Sequence, residues 1–144
     1  MNEDANIALV RRFYKEVWGR GHLDVADELF APDYERHDFR AGEATSGPEG
    51  QKQIAADFRE AFPDLTWHVD FILADGDFVA GRWTASGTHL GSWAGVAPTG
   101  RSMEFSGINV FRFSDGKVVE LWNHRDDLGL MQQLGAPVYA GASE

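Results

Sequence analysis

The chain has 144 residues, 43% of them hydrophobic and 25% charged, no cysteine, and a formal net charge of −10. That length fits one domain able to bury a core without covalent staples. The missing cysteines exclude a disulfide framework, a thiolate metal centre and a cysteine nucleophile, and the acidity disfavours nucleic acid and anionic membranes as partners.

The opening stretch MNEDANIALVRRFYKEV lacks the unbroken apolar core of a signal peptide, and no run approaches membrane-spanning length. A cytoplasmic location is the expectation. Residues 5–19 read as an amphipathic helix, with Ile7, Val10, Phe13, Tyr14 and Val17 at helical spacing and Gly19 and Gly21 ending it. Asp24 is placed to cap a short helix carrying Val25, Ala26, Leu29 and Phe30, which Pro32 stops. Residues 33–38 suggest a short strand, and residues 39–47 a loop. Pro48 suits the first turn of a helix whose apolar stripe is Ile54, Phe58, Ala61 and Phe62.

From residue 64 the period changes to two. LTWHVDFILAD and FVAGRWTASGTHLG read as a hairpin around Asp75-Gly76-Asp77. LGSWAGVAPTGRS is a long Gly/Pro loop and so a candidate functional loop. MEFSGINVFRF and KVVELWNHRDD are two further strands joined at Ser114-Asp115-Gly116, and LGLMQQLG is a closing helix. Residues 138–144 are expected to fray.

No repeat or linker divides this layout, so residues 1–144 read as one domain. Helices followed by a strand meander predict an α+β fold, with helices on one face of a curled antiparallel sheet. Gly81, Gly87 and Gly107 inside strands suggest bends that curl it. The concave interior is a natural small-molecule pocket. The other sheet face stays open, which predicts a homo-oligomer.

Several blocks resemble the SnoaL-like polyketide cyclases, or ester cyclases, of the nuclear transport factor 2-like superfamily. They are VRRFYKEVW, LFAPDYERHD, RWTASGTHLGSWAGVAPTGRSMEFSGINVFRF and DGKVVELWNHRDDLGLMQQLG. The resemblance covers nearly the whole chain. It implies a cone-shaped barrel with one pocket, no cofactor, frequent dimers or tetramers, and intramolecular aldol ring closure of a hydrophobic, carbonyl-rich small molecule. It also implies an acidic general acid/base on the last strand, which Asp126 matches, and a histidine near the end of the first strand, which His37 matches.

Asp126 and Asp127 are adjacent, so one can enter the cavity while the other caps the last helix; Asp127, directly before LGLMQQLG, is the expected cap. On a regular strand Glu120, Trp122, His124 and Asp126 share one face, a reasonable pocket wall unless a bulge breaks the parity. His37 could position a carbonyl or support Asp126, or simply be exposed. Tyr14 could donate to an enolate oxygen or be a core tyrosine. Arg82 and Arg112 could anchor substrate or pair with acids in the sheet. Trp83, Trp93 and Trp122 could stack on a ligand or fill core.

The histidines lack HxH or HExxH spacing, so no metal is expected. GTHLGSWAG is no phosphate loop, and no GxSxG serine is present. A proton-shuttling isomerase, a hydratase or hydrolase on the same scaffold, and a non-catalytic ligand-binding or dimerisation module remain alternatives.

Overall fold

The structure, a computed structural model, describes residues 3–37 and 47–135. Helix α1 (Glu3–Arg12) continues into a π-helical segment (Phe13–Gly19), and α2 spans Val25–Leu29. Strand β1 (Phe30–His37) and helix α3 (Gly47–Ala61) follow. The meander is β2 (Thr66–Asp75), β3 (Phe78–Thr88), β4 (Ser102–Ser114) and β5 (Lys117–Arg125), and α4 (Asp127–Leu134) closes it. Of the expected loop at 39–47, residues 39–46 lie outside the described residues, as does the expected fraying at 138–144, and Gly47 already belongs to α3. Among the described residues no helix is long and apolar enough to cross a membrane.

The strands order as β1-β5-β4-β3-β2. The meander is antiparallel, as its alternation predicts, but β1 joins β5 in parallel. The sheet is therefore mixed, curled and unclosed, with β1 and β2 as its edges, rather than a wholly antiparallel barrel. The start of β1 also corrects the sequence reading. Phe30 leaves the helix and Pro32 lies inside the strand. An edge strand tolerates a proline, and the register shifts between Phe30 and Glu35, where that proline sits. The β4–β5 turn carries positive φ at both Asp115 (52°) and Gly116 (77°), the pair a tight hairpin needs.

One sheet face packs against the helices. Met103, Phe105, Gly107, Asn109, Phe111 and Phe113 alternate inward along β4, all buried. Phe13, Tyr14, Val17 and Trp18 present a broad buried face from the π-helical segment. The strand glycines serve this packing directly. A Cβ on Gly81 would lie 2.4 Å from the Tyr14 hydroxyl oxygen, and one on Gly107 would lie 2.5 Å from the Trp83 ring. Both glycines make room for aromatic rings.

The loop after β3 docks on the end of α3. The N–H groups of Leu90 and Gly91 both donate to the Ala61 carbonyl, and a Cβ at Gly91 would meet the Glu60 carbonyl at 2.4 Å. His89, fully buried, accepts at Nδ1 from the Thr99 N–H at 3.2 Å.

Candidate active site

Between the sheet and the helices lies a cavity walled by Trp18, Phe58, Trp67, Trp83 and Phe105. Three indoles stack in series. Trp67 lies 4.7 Å from Trp18 and 4.2 Å from Trp83, centroid to centroid. The cavity has a volume of about 20 Å³, room for little more than one water.

Its polar lining is Arg36, Gln51, Asn109, Asn123 and Arg125. Asn109 is the hub. The Tyr14 hydroxyl donates to its Oδ1 at 2.9 Å, and Trp83 Nε1 donates to the same oxygen at 3.0 Å. Asn109 Nδ2 donates to Asn123 Oδ1 at 2.7 Å. An indole N–H can only donate, so it fixes the orientation of the Asn109 amide and, through it, that of Asn123. The chain of bonds runs one way, from Tyr14 and Trp83 through Asn109 to Asn123. Burial pushes the Tyr14 hydroxyl far up from its ordinary value, so it stays protonated and donating.

Arg36 Nη1 donates to Gln51 Oε1 at 3.3 Å, joining β1 to α3. The Arg125 side chain is 6% exposed and pairs with Asp127, Nε to Oδ1 at 3.2 Å and Nη2 to Oδ2 at 3.4 Å. Its guanidinium carbon sits 5.4 Å from the centre of the Phe58 ring. No carboxylate lines the cavity among the described residues.

These positions correct several expectations. Leu121, Asn123 and Arg125 face the cavity, whereas Glu120, Trp122 and His124 are on the opposite face of β5. The parity itself holds, since Leu121, Asn123 and Arg125 share one face and Glu120, Trp122 and His124 the other, but it is the first set that meets the cavity. The register shift between Arg112 and Phe113 leaves Val119 as an extra residue, so buried Val118 falls in with Leu121 rather than with Glu120. Asp126, not Asp127, caps α4, its Oδ1 accepting from Gly129 N–H at 2.9 Å. Its carboxylate is exposed and is not part of the cavity wall.

His37 meets Glu120 rather than Asp126, Nε2 to Oε2 at 3.0 Å, and stacks on Trp122 at 5.0 Å. Arg112 Nε donates to the other Glu120 oxygen at 2.6 Å, and these two contacts, Arg112 first, hold the Glu120 carboxyl below its ordinary range. Glu35 lies beside this group. Parallel pairing of β1 with β5 thus gathers Glu35, His37 and Glu120, with ligand-capable atoms within 4.8 Å, although no sequence spacing marks them. Glu120 is already met by two partners there.

Tyr14 is buried behind Asn109. Arg82 pairs with Asp70 and donates to Ser106 Oγ at 3.1 Å. Of the indoles proposed as ligand contacts, Trp83 lines the cavity. Trp93 packs behind it, edge-on to Phe58 at 5.9 Å, and Trp122 sits near Phe78 at 6.1 Å on the other face. Sequence reasoning missed Arg36, Gln51, Asn109, Asn123, Arg125 and Trp67 as site residues. Asn109 carries a readable signal, being the one polar residue in the inward series from Met103 to Phe113.

A family model for SnoaL-like polyketide cyclases matches residues 8–134. Among characterised relatives, the aklanonic acid methyl ester cyclase AcmA of Streptomyces galilaeus is 29% identical over 132 residues, 91% of each chain. The aklanonic acid methyl ester cyclase DauD of Streptomyces sp. (strain C5) is 30% identical over 138 residues, 91% of this chain and 82% of that one. Among solved structures, TsrD from Streptomyces laurentii superposes with a TM-score of 0.85 at 26% identity, over 95% of this chain and 99% of that one. IdmH from Streptomyces antibioticus, a candidate polyketide cyclase, superposes with 0.78 at 35% identity, over 91% and 99%.

Proposed function

The chain belongs to the SnoaL-like polyketide cyclase family, and we propose that it closes a ring in a polyketide by intramolecular aldol condensation. The observation that carries this reading is the aromatic-walled cavity with Asn123, Gln51 and Arg125 in its lining. Flat walls suit a fused-ring or ring-forming polyketide, and donors suit its carbonyl oxygens. The relatives named as ester cyclases support the same class.

A carbon flanked by two carbonyls is acidic enough for a carboxylate to deprotonate. Asp126, the residue the family resemblance implies, is proposed to take that proton. It follows Arg125 directly and reaches substrate by leaving its cap on Gly129. The carbanion then attacks a ketone carbon of the same chain. A carbon–carbon bond forms, the ketone π bond breaks, and the alkoxide recovers the proton from Asp126. Asn123 holds the enolate oxygen while the charge is on it, and Arg125 holds the substrate. Tyr14 acts only through Asn109, as a positioning residue. The small cavity means that substrate entry parts the indole stack at Trp67, which lies on the edge strand β2.

A screen of aromatic β-dicarbonyl esters, read by mass spectrometry, tests this reading. Ring closure gives a product of unchanged mass, or of that mass less water. Conversion no faster than with heat-denatured protein across the screen would remove the cyclase assignment. The homo-oligomer is part of the proposal. The open sheet face exposes Phe71, Leu73, Phe78 and Ile108, an apolar surface suited to a second copy.

A further inference from the structure

The protein carries −10 overall, yet its cavity is lined by two guanidiniums and, among the described residues, no carboxylate. Burying a guanidinium is costly unless hydrogen bonds and a counter-charge meet it. Arg125 is only partly met. Asp127 lies beside its Nε and Nη2, but Nε is fully buried without an aligned acceptor. Nη1 makes no hydrogen bond among the described residues. Phe58 covers the guanidinium. Trp67 Nε1, also in the wall, is a second buried donor without an acceptor.

We infer that this cavity takes a substrate bearing a free carboxylate, with Arg125 as the residue that selects it. The inference rests on the cyclase reading and narrows its substrate class to an aromatic or polyketide acid, where the named relatives are cyclases of a methyl ester. A carboxylate offers two coplanar acceptors, which match two N–H groups of one guanidinium. An ester offers one weak carbonyl acceptor and a methyl group, and cannot match two N–H groups of the guanidinium. Asp127 then has two effects. It orients Arg125, and it competes with the substrate for it.

The test is isothermal titration calorimetry with 2-naphthoic acid and methyl 2-naphthoate at pH 7.5. The acid is expected to bind at least about ten-fold more tightly than the ester. Arg125→Met should bring that ratio close to one, with far-UV circular dichroism and melting curves checking the fold. Asp127→Asn removes the internal competitor and should strengthen acid binding several-fold while leaving the ester unchanged. This second variant keeps the inference testable if Arg125→Met misfolds. Equal or tighter binding of the ester, no binding of either at millimolar concentration, or a preference that survives Arg125→Met would overturn the inference. The screen of β-dicarbonyl substrates separates this from the cyclase reading. Turnover of esters with no acid preference would sink the carboxylate site alone. Arg125-dependent acid binding without any ring closure would sink the cyclase reading alone.

Discussion

Tyr14 and Asn109 are 95 positions apart in the chain, yet the tyrosine hydroxyl donates to the asparagine Oδ1 at 2.9 Å. That bond ties the first helix to the inner face of β4 and orients the cavity amides. Asn109→Leu removes three buried hydrogen bonds at once, to Tyr14, Trp83 and Asn123. Each partner left unsatisfied costs about 1–3 kcal/mol, partly relieved by relaxation, so a loss of about 3 kcal/mol is expected. Tyr14→Phe removes one donor and should cost about 1 kcal/mol. Urea denaturation of the three proteins, fitted with a common m-value, checks the ranking. Equal stability of Asn109→Leu and wild type would show that the hub carries no structural weight.

Below about pH 5 the group at the β1–β5 edge sets a second expectation. Contacts with Arg112 and then His37 hold the Glu120 carboxyl below the ordinary 4.5, and hydrogen bonds from Thr88 hold Asp64 below 3.8. A carboxyl depressed on folding stabilises the protein above its unfolded value, and that contribution disappears as pH falls through the folded one. Melting temperature should therefore drop as pH falls from 4.5. In Glu120→Gln the drop should be shallower, with the variant less stable than wild type at pH 7 and converging on it in acid. Parallel pH curves would show that Glu120 is not linked to folding.

Much of this arrangement was legible in the sequence. The period change near residue 64 predicts the meander, and Asp115-Gly116 predicts its last turn. The parallel seat of β1 was not legible, because polar DYERHD does not state which edge it joins or in which direction. The cavity-facing side of β5 was hidden for another reason. Side-chain parity separates Leu121, Asn123 and Arg125 from Glu120, Trp122 and His124 but does not say which set faces inward, and the extra residue at Val119 uncouples that choice from buried Val118. Arg36 and Gln51 face the cavity from an edge strand and a helix. Nothing in the local spacing separates them from the exposed polar residues beside them. The capping exchange between Asp126 and Asp127 turns on one residue at a helix start, where sequence patterns are least exact.

The outer sheet face supplies a third expectation. Leu73 is 62% exposed and Phe71 48% exposed. Phe78 and Ile108 extend the same apolar surface. A pairing of two copies through this face would bury them. Multi-angle light scattering should give a multiple of 16.0 kDa at micromolar concentration. Leu73→Lys with Ile108→Lys should shift the mass to the monomer without unfolding it, since neither side chain belongs to the core. A wild-type protein at 16.0 kDa would count against the oligomer.

The junction of β5 and α4 carries the most specific expectation. Asp126 caps α4 through Gly129, and Asp127 holds Arg125. Asn also caps helices, so Asp126→Asn should keep stability within about 0.5 kcal/mol, whereas Asp126→Ala should lose about 1 kcal/mol. If Asp126 moves the proton, Asp126→Asn should slow turnover of an accepted substrate by about 10²–10⁴-fold with little change in KM. Asp127→Asn removes no proton acceptor from that scheme. It frees the guanidinium that holds substrate, so its effect should fall on KM, with kcat changed by less than about ten-fold. The two variants differ by one position and are isosteric with the wild-type residues, and melting curves of both separate a contrast in kcat from a loss of fold. A kcat collapse in Asp127→Asn with near-normal turnover in Asp126→Asn would move the proton transfer to Asp127. That outcome would fit its contact with the cavity-lining Arg125 and would leave Asp126 with the helix cap alone.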